Sequence, residues 1–186
     1  MGLWIAIIAG VVLLVLLWAG ASYNGLIGLR NQTRNAWSQI DVQLKRRHDL
    51  IPNLVESVKG YAGHERSTLE NVIKARNQAA AATGIAAQAK AEGELSTALG
   101  RLMAVAEQYP DLKANQSFLS LQEELTSTEN KVSYSRQFYN DSVMEYNTRL
   151  QAVPSNLIAD LFHFQKADFF VVDGAEDRAV PKVSFS

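Results

Sequence analysis

The sequence predicts an all-α protein in which one transmembrane helix precedes an antiparallel bundle of about four long helices, followed by a short extended aromatic tail. Three observations lead to this prediction. The first 29 of the 186 residues contain no charged side chain. Apolar residues further along recur at every third or fourth position, as they do on one face of a helix. No glycine occurs between Arg101 and Asp173, which leaves room for one long uninterrupted helix.

Residues 1–22 are predicted to form an uncleaved single-pass anchor. Residues 3–21 are apolar apart from Gly10 and Gly20. At about 1.5 Å per residue this run spans about 28 Å, close to the hydrocarbon thickness of a bilayer. Trp4 and Tyr23 stand at its two ends, as in an interfacial aromatic belt. A signal peptide cleaved after Ala21 remains the alternative, although the basic region that usually precedes its apolar core is missing.

The side of the membrane on which the bundle lies is predicted from positive charges. Arg30 and Arg34 follow the anchor closely, and the positive-inside rule therefore places the bundle in the cytoplasm and the N-terminus outside. An extracytoplasmic bundle is the alternative. Ala6 and Gly10 form one small-xxx-small pair, which by itself is a weak signal for packing between anchor helices. A homo-oligomer is the hypothesis that the glycine-bearing anchor and the Ala-rich segment at 79–91 suggest together.

Residues 23–160 are predicted to form the bundle, with coiled-coil-like packing of the helices. The four prolines, at positions 52, 110, 154 and 181, are expected to divide the chain into helical stretches. Between Pro110 and Pro154 one buried seam is predicted, made of Leu121, Leu125, Thr128, Val132, Ser135, Tyr139, Val143, Tyr146, Leu150 and Val153.

Local signals set the expected helix ends. Ser67 and Glu70 fit a capping box, Thr83-Gly84 fits a turn after an Ala-rich helix, and Asp111 fits an N-cap. Pro154-Ser155 can begin a short helix that runs to about Phe162. Residues 161–186 form the predicted tail, in which 169–172 and 180–185 look extended and the aromatic side chains are expected to strap the bundle closed.

Catalytic and cofactor chemistry is not predicted. The chain has no Cys, which excludes disulfides, thiolate metal sites and a Cys nucleophile. Glycine-rich phosphate loops and GxSxG are missing as well. His48-Asp49 and His64-Glu65 leave a metalloenzyme as a remote alternative. A net charge of −1 argues against a nucleic-acid partner, and no small-molecule substrate is evident.

The densest basic cluster is Lys45-Arg46-Arg47-His48. It is interpreted as a solvated helix face, with contact to anionic lipid as the alternative. We expect the partners to be the membrane, through residues 3–21, and the protein itself together with other membrane proteins.

Three sequence blocks closely resemble the LemA family of bacterial membrane proteins. They are Tyr23-Asn24-Gly25-Leu26 with residues 29–31 and 36–55, residues 107–115 with 121–125 and 139–143, and Pro154-Ser155-Asn156-Leu157-Ile158-Ala159. The resemblance implies an N-terminal anchor on an antiparallel helical bundle with no established enzymatic activity. One branch of that family is associated with forming the magnetosome. Another branch carries a lipobox Cys, and its topology does not transfer to this Cys-free chain.

The blocks shared with the family also suggest structural roles. Their apolar residues are expected in the core, namely Trp37, Ile40, Leu44, Leu50, Ile51 and Leu54. The polar run Arg46–Asp49 would then pair across the bundle with Glu123, Glu124 or Glu129, while Pro52 and Pro110 would set helix boundaries or kinks. The leading functional hypothesis is a non-enzymatic, self-associating membrane scaffold, and the alternative is a membrane-remodelling or lipid-binding protein.

Overall fold

A computed structural model of the chain describes residues 1–172. Helices make up 83% of these residues, and no strand occurs among them, which confirms the all-α prediction. The predicted extended segment at 180–185 lies outside the described residues. The helices are α1 (Gly2–Lys59), α2 (Arg66–Ala81), α3 (Ile85–Ala106), α4 (Pro110–Lys113), α5 (Gln116–Gln151) and α6 (Ser155–Leu161).

Helix α1 runs without interruption through Pro52, so the predicted helix boundary at this residue is wrong. Proline has no backbone N–H and leaves the carbonyl four residues earlier without its helical donor. In this chain that carbonyl belongs to His48, and Arg76 of α2 donates its Nε–H to it over 3.2 Å. A side chain from a neighbouring helix thus replaces the lost hydrogen bond.

The chain divides into two compact units, and the boundaries fall inside α1 and α5. Unit 1 comprises Met1–Gln39 and Gln137–Asp168, and unit 2 comprises Ile40–Arg136 together with residues 169–172 of the described chain. The sequence predicts a different division, into an anchor (1–22), a bundle (23–160) and a tail (161–186). This division remains a prediction.

Unit 2 has one apolar core to which five helices contribute. Its fully buried residues include Leu54 and Val58 of α1, Val72 of α2, Leu95 and Leu102 of α3, Leu112 of α4 and Phe118 of α5. Helices α2 and α3 form a hairpin around the predicted turn at Thr83-Gly84. Gly84 has φ +88°, a conformation that side chains other than glycine disfavour.

Two of the predicted caps in unit 2 are wrong. Helix α2 begins at Arg66 rather than at the predicted capping box, and no side chain caps it. Asp111 lies in the first turn of α4, after Tyr109 at the N-cap position. Asn115 instead begins α5, since its Oδ1 accepts the backbone N–H of Phe118 over 3.1 Å.

Unit 1 packs the first part of α1 against the second half of α5 and against α6. Its core contains Leu26, Tyr146, Leu150, Ile158 and Ala159. The seam predicted for α5 is buried from Tyr139 to Leu150, but Val153 is 83% exposed. The reason is that α5 ends at Gln151, so Val153 no longer follows the helical register. The predicted short helix after Pro154 is confirmed as α6.

Candidate functional site

The most polar part of the interior is a charged cluster in unit 2, which we call the Glu92 network. It consists of Arg47 and His48 of α1, Gln88, Glu92 and Ser96 of α3, and Glu129 of α5. Arg47, His48 and Glu92 are all buried. Because a buried charge is tolerated only when it is paired, the geometry of these contacts decides what the cluster can do.

The carboxylate of Glu92 accepts three hydrogen bonds. Oε2 lies 2.9 Å from Nη1 of Arg47, and Oε1 lies 2.7 Å from Nε2 of His48. The side-chain amide of Gln88 donates to the same Oε1 over 3.1 Å and to the carbonyl of Ala79 over 3.0 Å. Glu92 therefore holds α1 and α3 together, while Gln88 links α3 to the end of α2.

The guanidinium of Arg47 extends the network to α5. Its Nη2 donates to Oγ of Ser96 over 2.7 Å and lies 3.0 Å from Oε2 of Glu129, whose side chain is half-exposed. The predicted pairing of Arg47 with Glu129 is thus confirmed. Pairing of Arg46 with Glu124 is confirmed as well, with 2.7 Å between Nη2 and Oε1.

The structure corrects the interpretation of the basic cluster as a solvated face. Lys45 and Arg46 are exposed, but Arg47 and His48 are buried. The cause is the helical register, because residues 44, 47, 48 and 51 share the inward face of α1. Only half of the cluster is therefore available to an anionic lipid surface.

The Glu92 network borders a cleft of about 260 Å³, lined by Arg47, Ser96 and Arg136 among others and by the buried Phe170. Besides Ser133, Ser96 contributes a hydroxyl group to this cleft. Its oxygen accepts a hydrogen bond from Arg47, and a guanidinium cannot take up a proton at neutral pH. General-base activation of Ser96 by this partner is therefore ruled out, and the geometry is that of an interhelical clamp.

The two histidine pairs suggested by the sequence are not brought together. His48 is buried against Glu92, whereas His64 is exposed in the connection between α1 and α2. Within residues 1–172, no three His, Asp or Glu side chains come close enough to hold a metal ion.

Unit 1 contains a second polar cluster, which we call the strap contacts. Residues 165–168 follow α6 without regular structure, and side chains of α5 bind their backbone. Tyr146 donates its hydroxyl to the carbonyl of Gln165 over 3.0 Å, and Tyr139 donates to that of Asp168 over 2.7 Å. Asn147 both donates to the carbonyl and accepts from the N–H of Ala167, each over 2.9 Å. The backbone of residues 165–168 thus binds α5, whereas strapping by the aromatic side chains of the tail remains a prediction.

Burial changes the acidity of both tyrosines. Removal from water and, as the smaller cause, the nearby Asp168 carboxylate together raise the pKa of Tyr139 from 10.0 to about 12. Burial also raises the pKa of Tyr146, against the opposing effect of Arg30 and Arg34. Both hydroxyls therefore remain protonated donors over the physiological range.

The first part of α1 is the segment of the described chain that could cross a membrane. It meets the requirements of length and apolar composition, and none of the apolar window is buried against the rest of the protein. A signal sequence would meet the same requirements. The fold and the clusters together define a helical protein with an exposed apolar N-terminal helix and interhelical polar clamps.

The sequence model of the LemA family matches residues 36–185. The chain belongs to the LemA family. This finding confirms the resemblance noted in the sequence blocks, and together with the exposed apolar helix it fits a membrane-associated helical protein.

Three bacterial relatives illustrate the range of the family. The chain is 26% identical to magnetosome protein MamQ 2 of Paramagnetospirillum magneticum, an alignment that covers 85% of this chain and 68% of the relative. It is 24% identical to magnetosome protein MamQ of Magnetospirillum gryphiswaldense, with the same coverage. It is 26% identical to protein LemA of Metamycoplasma hominis over 80% of this chain and 66% of the relative.

Sequence reasoning missed Glu92 as the centre of the network. A signal was present, because Glu92 lies on the buried face of α3 between Ala89 and Leu95, each three residues away. A carboxylate at such a position needs a cationic partner. The Arg47-His48 pair, on the inward face of α1, was the available candidate.

Proposed function

We propose that this protein is a non-enzymatic, membrane-anchored helical scaffold that associates with itself and with other membrane proteins. The observation that carries the proposal is the continuity of α1, which joins the apolar anchor and the bundle in one helix, Gly2–Lys59. Such a helix holds the polar bundle next to the membrane. In the Glu92 network the buried charged groups pair with one another, which supports a structural rather than a catalytic use of these groups.

Self-association is supported by the anchor. A Cβ added at Gly10 would meet nothing within 4 Å, so that the small face formed with Ala6 is open to another helix. Two of the named relatives are magnetosome proteins, and the organisation of a bacterial membrane structure is a role that an oligomeric scaffold can serve.

A face of α5 supports binding of protein partners. Exposed side chains line a groove of about 780 Å³ there, among them Leu119, Glu123 and Tyr134. An exposed aromatic side chain beside polar residues is typical of protein interfaces. On the charge evidence of Arg30 and Arg34 we place the bundle in the cytoplasm.

Light scattering after size exclusion of the full-length protein in detergent tests self-association. We expect species larger than the 20.5 kDa protomer, and Gly10→Leu should shift them towards protomers because it fills the small face. Val12→Leu, on the opposite side of the helix, is the matched control. Protomers alone in the native protein would refute self-association.

In-membrane crosslinking followed by identification of the crosslinked proteins tests the binding of partners. We expect a crosslinker placed at Tyr134 to capture defined membrane proteins and one placed at Lys45 to capture fewer. Single Cys residues introduced into the Cys-free chain at Ser127 and at other exposed bundle positions test the orientation. Labelling of intact cells by an impermeant reagent at these positions would contradict a cytoplasmic bundle.

A further inference from the structure

Unit 1 exposes a patch of large apolar side chains around α6, which we call the apolar foot. Val153 is 83% exposed, Leu157 62%, Leu161 68% and Phe162 53%. Leu157 and Leu161 are four residues apart and share one face of α6, whereas Ile158 and Ala159 on the other face are buried. Clusters of exposed large apolar residues usually mark an interaction surface.

The buried face of α6 fixes the apolar foot against the segment of α1 that follows the anchor. Ile158 and Ala159 share a core with Leu26 of α1. The ring centroid of Phe162 lies 4.7 Å from that of Tyr23. Helix α6 therefore packs along α1 between the levels of Tyr23 and Leu26.

These levels can be compared with the expected depth of the membrane. If residues 3–21 cross the hydrocarbon core, Tyr23 lies about 3 Å beyond it and Leu26 about 7.5 Å beyond it, at about 1.5 Å per residue. The headgroup region on each side of the core is about 5–7 Å thick. The contact of Phe162 with Tyr23 thus lies at the depth of the headgroups.

We propose that the apolar foot is a membrane-contact site, in which Val153, Leu157, Leu161 and Phe162 insert into the boundary between lipid headgroups and acyl chains. The proposal rests on the membrane anchor of the proposed function and adds a second lipid contact to it. The exposed face of α6 then contacts the membrane interface, as the apolar face of an amphipathic helix in a peripheral protein does.

Lipid is the occupant that the position of the patch favours over a second protein chain. Helix α6 lies beside the end of the anchor, since Ala19 and Tyr23 of α1 pack against the core that holds Ile158 and Ala159 of α6. Asp160 is the one charged residue of α6. Phe162 and Tyr23 place two aromatic rings at one level, where aromatic residues of membrane proteins concentrate.

Spin labels at single introduced cysteines test the proposal, because the native chain has no Cys. The full-length protein is reconstituted into liposomes of phosphatidylcholine and phosphatidylglycerol, with a nitroxide at Leu157→Cys or Leu161→Cys. Val12→Cys in the anchor is the lipid reference. Tyr134→Cys, at an exposed aromatic position of α5, is the water reference. The labelled positions are exposed in the structure, and circular dichroism checks that each variant is folded.

The measurement is the ratio of collision with oxygen, which enters lipid, to collision with a water-soluble nickel chelate. We expect a severalfold higher ratio at positions 157 and 161 than at 134, approaching the ratio at position 12. A ratio equal to that at 134, with position 12 in lipid, would overturn the inference while leaving the anchor intact. Low collision with both reagents, or spin–spin broadening, would show a covering protein chain and also overturn it. A water-like ratio at position 12 would overturn the anchor and this inference together.

Discussion

The two units stabilise their interiors with different polar chemistry. Unit 2 joins three helices through the Glu92 network, in which charged side chains meet one another. Unit 1 uses the strap contacts, in which neutral side chains of α5 bind the backbone of residues 165–168. The difference follows from which backbone groups in each unit still need a hydrogen-bond partner. Helices already pair their own backbone groups, so that side chains must link them, whereas a segment without regular structure needs partners for its backbone.

The comparison predicts unequal tolerance to substitution. Removing one member of a buried ion pair leaves an uncompensated charge in a medium of low polarity. Removing one neutral donor leaves a single carbonyl without a partner. The free-energy cost of an unpaired neutral group is smaller than that of an unpaired charge. We therefore expect unit 2 to be more sensitive than unit 1 to a single polar change.

The largest effect is expected for Glu92→Gln. This change keeps the size of the side chain but leaves Arg47 without its buried counter-charge, and it should lower the free energy of unfolding by about 3 kcal/mol. Glu94→Gln, at an exposed position of the same helix, is the matched control and should have little effect. Chemical denaturation of the full chain in detergent, followed by circular dichroism, measures both. Equal losses in the two variants would break the comparison.

A smaller effect is expected for Asn147→Leu, which removes two hydrogen bonds to Ala167. We expect a loss of about 2 kcal/mol and faster hydrogen exchange at the amide of Ala167, because the strap loses its central contact. Thr148→Leu, exposed on the same turn, is the control. Unchanged exchange at Ala167 in the Asn147 variant would show that the strap is held by apolar contacts instead.

Tyr139→Phe should cost about 1 kcal/mol at neutral pH, since one hydrogen bond to the carbonyl of Asp168 is lost. The pH dependence gives a sharper signature. The pKa of Tyr139 is raised from 10.0 to about 12 in the folded protein, so its stabilising effect is complete below pH 10 and is lost as the pH rises towards 12. Unfolding of the native protein and of the Phe variant at pH 9 and above pH 11 measures this. The prediction fails if both lose the same stability over that interval.

The smallest effect is expected for the exposed ion pair of Arg46 with Glu124, whose side chains are about half in water. Glu124→Gln should cost about 0.5 kcal/mol and less at high salt, because solvent screens the pair. Glu123→Gln, one residue earlier and exposed, is the control. A cost near that of Glu92→Gln would show that burial does not govern the strength of these pairs.

The periodic features of the fold could be predicted from the sequence. The buried seam of α5, the turn at Gly84 and the short helix after Pro154 depend on local spacing and on local backbone preferences, which the sequence displays directly. The pairing of Arg47 with α5 was also predictable in kind, because an inward-facing cation needs a carboxylate.

Other features depend on contacts between distant residues, and local patterns do not reveal them. Pro52 is compatible with a continuous α1 because Arg76, in another helix, binds the carbonyl that it leaves free. To predict the Glu92 network from the sequence, one would have to know which face of α3 meets α1. Val153 continued the apolar spacing of α5, and only the end of the helix at Gln151 shows why it is exposed.

The continuity of α1 has a mechanical consequence. Within unit 1, residues 2–39 of α1 form one helix of about 57 Å, and each residue along it turns the helix by about 100°. The direction in which the bundle-facing side of α1 points around the helix axis is therefore fixed relative to the direction of its lipid-facing side. Inserting one residue near Ser22 would rotate one against the other by more than a quarter turn, whereas inserting seven would nearly restore the phase.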